Sequence, residues 1–173
     1  LSVPFIRCGV FIMDEDLQII HNFLSTPDGK AIASFELPYD TPGFVANILK
    51  HWREKKMFLD HWDESNMKNF AQVLVNQGIF NEPGEYLKTL PKEGLYLHML
   101  PFLQGMLYVG NTSQLAPENL DLLLSLAEAF STAYARYEDF NKLEAAKAQV
   151  DNTLVELKQT QAQLVQSEKM ASL

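Results

Sequence analysis

The residues after Pro117 contain neither glycine nor proline, and this absence constrains the fold more than any other feature of the sequence. Glycine and proline are the strongest helix breakers, so nothing in this stretch would interrupt a helix once it has begun. A start is indicated at Ala116-Pro117-Glu118-Asn119, because proline suits the first helical turn and a carboxylate there lies beside the positive end of the helix dipole. The sequence therefore predicts one helix from Pro117 to the last residue, behind a compact front region.

Apolar residues on the predicted helix form two stripes. The first suits packing on a sheet and contains Leu120, Leu123, Leu124, Ala127, Phe130, Tyr134 and Tyr137. The second, here called the seam, keeps one heptad register at its a and d positions and contains Leu126, Ala129, Ala133, Phe140, Leu143, Val150, Leu154, Leu157, Leu164 and Ala171. Four polar residues interrupt the same register, at Arg136, Lys147, Gln161 and Glu168. The first stripe ends at Tyr137 while the seam continues.

A helix with one narrow apolar seam needs another helix to cover it. The chain has no second long helix, so the simplest partner is its own copy, and we expect a homodimer through a parallel coiled coil. The alternative is a lone solvated helix, which six or so heptads of apolar residues make hard to sustain. The polar core positions would weaken the seam and help to fix its register.

The front region has the pattern of short strands separated by turns. Apolar runs at residues 5–13 and 17–25 flank an acidic turn and predict a hairpin, and a third strand is predicted at residues 31–37. Two amphipathic helices follow, at residues 43–56 and 63–78, with a short strand between them. A second hairpin is predicted at residues 94–102 and 106–110. Together these elements predict an α+β fold, in which helices pack on an antiparallel sheet of five or six strands.

Charge and cysteine content restrict the classes of partner. Fourteen basic and twenty-two acidic residues give a formal charge of -8, which argues against nucleic acid or an anionic membrane surface as the main partner. The single Cys8 excludes an internal disulfide and fits a reducing compartment, so a cytoplasmic location is expected. No apolar run is long enough to span a membrane, although membrane attachment of a longer parent protein stays open.

The end of the helix carries a family resemblance. The segment "QLVQSEKMASL", residues 163–173, resembles the opening of the dimerisation and phosphoacceptor helix of bacterial two-component sensor histidine kinases. In that family the motif is followed by glycine and then by a His-Glu pair whose histidine is phosphorylated. The resemblance implies that the chain stops just before the phosphoacceptor of a longer kinase, whose partner would be a response regulator.

The front region is similar to a GAF domain, the small-molecule sensor fold allied to PAS. The segment "SFELPYDTPGFVANILKHWREKKMFL", residues 34–59, resembles GAF-like modules of sensor kinases, and residues 119–146 are similar to the last helix of such domains. The resemblance implies a sensor domain at 1–137, a signalling coiled coil at 138–167 and the start of the kinase helix at 168–173. Neither the chromophore-binding cysteine of bilin-binding members nor the signature of cyclic-nucleotide binders is present.

The chain has few candidates for chemistry of its own. None of its four histidines is followed by Glu and no phosphate-binding loop is present, so we expect no catalytic residue, no metal and no cofactor here. ATP and Mg²⁺ would belong to the kinase domain. A metal site among His51, His61, Asp60 and Asp63 lacks ligand spacing, and Cys8 with a histidine is less plausible as a nucleophile pair than as a small core residue.

A ligand pocket is expected between the sheet and the helices that follow its third strand, as the GAF resemblance implies. The candidate residues, drawn from a dense aromatic set, are Phe35, Trp52, Trp62, Tyr96 and His98. The competing interpretation is that these side chains only fill the core. For the chain as a whole, the alternatives are a GAF-type module of a different output enzyme (a cyclase or phosphatase), a small stand-alone enzyme, and a ligand-free dimerisation adaptor.

Overall fold

The computed structural model describes residues 3–173, except for the side chain of Ile32. It contains six strands, which are β1 (Arg7–Asp14), β2 (Ile19–Ser25), β3 (Ala31–Pro38), β4 (Phe58–Trp62), β5 (Leu95–Phe102) and β6 (Gly105–Asn111). The helices are α1 (Phe44–Arg53), α2 (Glu64–Asn76), α3 (Pro83–Leu87) and α4 (Pro117–Ala171). The predicted α+β class, the antiparallel sheet and the long C-terminal helix are confirmed.

The strands form one sheet in the order β3-β2-β1-β6-β5-β4, and every neighbouring pair is antiparallel. The strands β1 and β6, nearly one hundred positions apart in sequence, therefore lie side by side at its centre. Their pairing runs from Arg7 opposite Gly110 to Ile12 opposite Gly105, and Ile6 N–H donates to the Gly110 carbonyl over 2.9 Å. The hairpins β1–β2 and β5–β6 extend the sheet on either side.

Local chemistry explains where the elements begin and turn. Asp14 accepts a hydrogen bond from the Leu17 backbone N–H over 2.9 Å, which closes the turn between β1 and β2. A capping box starts α2, since the Asp63 carboxylate accepts from Asn66 N–H and the Asn66 amide oxygen accepts from Asp63 N–H. Gly43, with a φ of 98°, supplies the left-handed backbone conformation that precedes α1.

The first face of the sheet, which carries Phe11, Leu97 and Met99, packs against the helices that follow β3. Its apolar side chains join those of α1, α2 and α3 in one core, of which Val45, Ile48, Ala71 and Leu74 are fully buried members. This face lies next to the candidate ligand site described below.

The second face of the sheet carries Leu100, Leu107 and Val109, which are buried together with Leu115 and, on α4, Leu123 and Ala127. The Phe130 ring lies 5.3 Å from that of Phe102, and Ser131 Oγ donates to Gln104 Oε1 over 2.8 Å. The first turns of α4 therefore pack on the β5–β6 hairpin, as the first apolar stripe predicts.

The chain divides into two compact units, one up to Ser131 and the other comprising Thr132–Leu173. The second unit is the remainder of α4, whose residues are exposed from Asp139 to the end. Among the described residues, no helix combines the length and the apolarity that crossing a membrane requires.

Candidate functional site

The five side chains predicted to line a pocket lie in three different places. Phe35 and Trp62 are buried on the first face of the sheet, whereas Tyr96 and His98 lie on the second face. Trp52, at the end of α1, is half-buried and its indole N–H donates to the Phe102 carbonyl over 3.1 Å. Side chains alternate between faces along a strand. The residues adjacent to Tyr96 and His98 in sequence therefore face the first side of the sheet, and these two do not. The structure does not bring the five residues together.

His98 connects the sheet to the segment that leads into α4. Its Nδ1 lies 3.3 Å from the Val109 carbonyl, and its Nε2 accepts a hydrogen bond from Leu115 N–H over 3.1 Å. Because Nε2 accepts, the ring is neutral and its proton is on Nδ1. Burial, which leaves 3% of His98 exposed, lowers the pKa of the imidazole below its usual range. The neutral histidine is thus a structural acceptor that holds Leu115 two residues before α4 begins.

This arrangement predicts acid sensitivity of the folded state. The pKa of His98 is lower in the folded chain than in the unfolded chain, where it is about 6.5. The unfolded state therefore binds the proton first, and the contribution of His98 to stability is complete above about pH 6.5 and is lost as the pH falls further. We expect the slope of unfolding free energy between pH 6.5 and 5, measured by urea unfolding, to become shallower in His98→Gln. The control is His61→Gln, at an exposed histidine; equal slopes in wild type and His98→Gln would contradict the role.

An open cleft of about 400 Å³ lies beside the core, between α1, α2 and the end of β4. It lies between the sheet and the helices that follow β3, the region in which the GAF resemblance places a pocket. Of the five predicted candidates only Trp62 lines it. The other lining residues come from the loop before α1 and from the two helices, and they are Thr41, Pro42, Gly43, Phe44, Asn47, Asp60, Asn66, Asn69, Phe70 and Val73.

Three aromatic rings form the floor of the cleft. The Phe44 ring centroid lies 4.9 Å from that of Trp62 and 5.3 Å from that of Phe70, and the Trp62 and Phe70 centroids are 5.2 Å apart. Each pair is edge-to-face, the arrangement that the quadrupoles of aromatic rings favour. The same rings also line a smaller cavity of about 20 Å³, together with Phe11 and Tyr108. The aromatic floor therefore belongs both to the cleft and to the core.

The polar groups of the cleft are one carboxylate and several amides. Asp60 accepts from His61 N–H over 2.9 Å and from the Trp62 indole N–H over 3.0 Å, so its position is fixed from two directions. Asn47 and Asn69 lie on the helices at the rim and are exposed. No lysine, arginine or histidine of the described chain lines the cleft. The site therefore offers acceptor oxygens and amide groups over an apolar floor, without a cation.

A buried arginine lies deeper in the same core. Arg7, 1% exposed, donates to the Tyr86 hydroxyl over 2.8 Å and to Thr89 Oγ1 over 2.7 Å, and its guanidinium carbon lies 5.1 Å from the centre of the Tyr86 ring. The pKa of Tyr86 is raised because burial disfavours the phenolate. These contacts attach α3 to β1 and give Arg7 a structural role.

The remaining chemical candidates from the sequence stay apart. Cys8 is half-buried on β1, with its sulfur 3.4 Å from Ser25 Oγ. His51 lies on α1 with its Nδ1 2.8 Å from the Asn47 carbonyl, while the His61 ring lies 4.4 Å from that of Tyr96 on the second face. Within residues 3–173, no three His, Cys, Asp or Glu side chains are grouped as a metal ion requires.

The seam is the second candidate functional surface. From Phe140 to Leu164 its large apolar side chains are 47% to 65% exposed, and Leu126, near the start of α4, is 45% exposed. They lie on a helix that no break interrupts between Pro117 and Ala171. This is the face that the heptad register predicts.

The cleft could not be located from the sequence alone. Asp60, Asn47 and Asn69 are isolated polar residues in three separate elements, and only the packing of α1 and α2 beside β4 brings them to one rim. The available signal was the aromatic density around Phe44, Trp62 and Phe70, which a filled core explains equally well.

Comparisons with models of known protein families, with curated proteins and with solved structures found no match to the chain.

Proposed function

We propose that the chain is the sensory and dimerising region of a two-component sensor histidine kinase. A GAF-like domain passes a signal through a parallel coiled coil to a kinase core that this chain does not contain. The motif "SEKMASL" at residues 167–173 supports this output, because it lies at the end of a heptad-bearing helix, as in that family. The chain itself acts by binding and conformational change.

The observation that carries the proposal is the exposed seam on an uninterrupted helix. Apolar side chains at a and d positions drive helix association because pairing removes them from water, at roughly 25 cal/mol per Å². An isolated chain leaves these side chains in water over the whole of Thr132–Leu173. A second copy offers the same register and the same length, so the parallel homodimer covers the seam completely.

The start of α4 suits it to transmit a signal. Leu123 and Ala127 face the sheet and are buried, whereas Leu126 and Ala129, on another side of the same turns, are exposed and begin the seam. A change in how these turns pack on the β5–β6 hairpin therefore rotates or bends the helix at the first layers of the coiled coil. The sensor and the dimer interface share this segment, and motion in one changes the packing of the other.

The polar core positions keep two arrangements of the coiled coil close in energy. We expect Lys147→Ile with Gln161→Ile to raise the unfolding midpoint of the dimer and to lock the signalling state of the full-length kinase, because β-branched residues at a positions favour one tightly packed dimer. Circular dichroism melting and the phosphorylation level with and without stimulus measure the two effects. The matched control is Lys142→Ile with Gln149→Ile, outside the seam. Normal regulation in the seam variant would contradict the mechanism.

Two observations test the proposed function itself. Native mass spectrometry of the purified chain reports its oligomeric state, and a monomer at micromolar concentration would contradict the dimer. The gene sequence beyond Leu173 tests the output: a His-Glu pair within about twenty residues supports the kinase. Its absence would favour a cyclase, a phosphatase or a ligand-free adaptor as the parent protein.

A further inference from the structure

We propose that the cleft between α1, α2 and β4 binds a small organic cation, namely a protonated or quaternary amine carried on an aromatic or apolar body. Binding is inferred from the features of the cleft alone. Only the interpretation of the bound ligand as the sensed signal rests on the proposed function.

The size of the cleft sets the size of the ligand. A volume of about 400 Å³ falls in the range of small-molecule sites, which is about 300 to 1,000 Å³. The floor presents apolar surface that an aromatic or alicyclic body can cover, with the Phe44 ring half-buried and Trp62 and Phe70 each 7% exposed. A polar molecule without such a body would leave this floor in contact with water and gain little from entering.

The charge of the site selects a cation. Asp60 is the one charged residue among the lining side chains, and the described part of the chain places no positive side chain on the cleft to neutralise it. Each carboxylate oxygen accepts one hydrogen bond from the protein, so each retains capacity for a donor from a ligand. Aromatic faces attract ammonium groups as well, most strongly those of Trp. Phosphate- or carboxylate-bearing ligands would instead meet Asp60 without a compensating cation.

The amides at the rim add donors and acceptors for further polar substituents. Asn47 on α1 and Asn69 on α2 both line the cleft, and Thr41 adds a hydroxyl in the loop before α1. These neutral groups can both donate and accept hydrogen bonds, so the preference for a positively charged ligand comes from Asp60. A ligand with an amine at one end and a hydroxyl or amide at the other fits this distribution.

Occupancy of the cleft bears on the centre of the sheet. The Phe44 ring lies 6.5 Å from that of Phe11, which stacks on Tyr108 at 5.8 Å with a 7° angle between the planes. Tyr108 is on β6, the strand that leads into α4. A bound ligand that moves Phe44 therefore acts on β6, the strand that precedes α4, through two ring contacts.

Matched probes separate the charge from the ring. We would titrate the purified chain with phenethylamine and with 3-phenylpropionate, which share the ring and linker and differ in the sign of the end group. Isothermal titration calorimetry gives the affinities, and the NMR shift of the Trp62 indole N–H locates the binding. We expect the amine to bind at least about tenfold more tightly than the acid, a difference of the size that one charge-assisted contact supplies.

Three variants test the assignment. Asp60→Asn keeps the shape and an acceptor for Trp62, and should remove the preference for the amine. Asp121→Asn, on the exposed surface of α4, makes the same charge change away from the cleft and should leave the preference intact. Asn69→Trp, at an exposed rim position, should fill the cleft and abolish the Trp62 shift without disturbing the core.

The outcomes distinguish this inference from the proposed function. Equal affinities for the two probes, binding that survives Asn69→Trp, or no shift of Trp62 with either probe would overturn the inference. Native mass spectrometry on the same samples reports the dimer independently. If the chain is a dimer and binds neither probe, the proposed function is unaffected but this ligand class is wrong. If the chain is a monomer and binds the amine, the proposed function is wrong but the ligand site is supported.

Discussion

Replacing Leu154 and Leu157 by glutamate is expected to convert the proposed dimer into a monomer. Both side chains occupy consecutive core positions of the seam and are exposed in the single chain, so their loss does not disturb the monomer. Burying each leucine in a dimer contributes about 1.5 to 3 kcal/mol, and the substitution places four carboxylates in the interface of two chains. We expect the dissociation constant to rise at least about 100-fold, measured by analytical ultracentrifugation.

The control for this prediction lies beside the seam. Val155→Glu with Ala162→Glu adds the same charges to the same helix at positions outside the a and d register. This variant should dimerise as the wild type does. If both double variants weaken the dimer equally, the contact depends on overall charge rather than on the seam, and the parallel coiled coil is the wrong description.

Replacing Phe70 by alanine is expected to lower the free energy of unfolding by about 3 to 5 kcal/mol, the usual range for a buried phenylalanine. Phe70 is 7% exposed and its ring contacts four others, those of Phe35, Phe44, Trp62 and Tyr86. Its removal leaves a cavity beneath the cleft that the neighbouring rings cannot close without losing their edge-to-face contacts. Urea unfolding of the purified chain measures the change.

Phe23→Ala is the matched control, because it removes the same side chain from the second face of the sheet, where it is 49% exposed. We expect a loss below about 1 kcal/mol there, since little apolar surface returns to water. A loss for Phe70→Ala as small as that for Phe23→Ala would show that the aromatic floor is loosely packed, and would remove the basis for the cleft as a built site.

Most of the fold could be predicted because its elements have strong local signals. The apolar runs of β1 and β2, the acidic turn that begins at Asp14 and the absence of breakers after Pro117 each predicted an element that the structure contains. The short helix α3 was not predicted. Five residues, beginning at Pro83, are too few for a helical period to appear, and tertiary contacts such as that between Arg7 and Tyr86 hold them in place.

The candidate site could be predicted only in part. The GAF resemblance implied the region, and aromatic density pointed to Trp62, but strand register decides which side chains reach that region. Tyr96 and His98 differ from Leu95 and Leu97 by one position along β5, and that single step places them on the opposite face. Asp60 was considered in the sequence as a possible metal ligand. In the structure its two carboxylate oxygens accept hydrogen bonds from the Trp62 indole N–H and from the His61 backbone N–H.

The pairing of β1 with β6 also has a consequence for how the domain folds. These central strands are far apart in sequence, so joining them closes a loop that contains all the other strands and three helices. Closing a long loop loses chain entropy before any contact compensates for it, which slows folding. The hairpins β1–β2 and β5–β6 can form early, but the sheet is completed only after β6 has been synthesised. Completion of the sheet therefore depends on the strand that leads directly into α4, the last element of the chain.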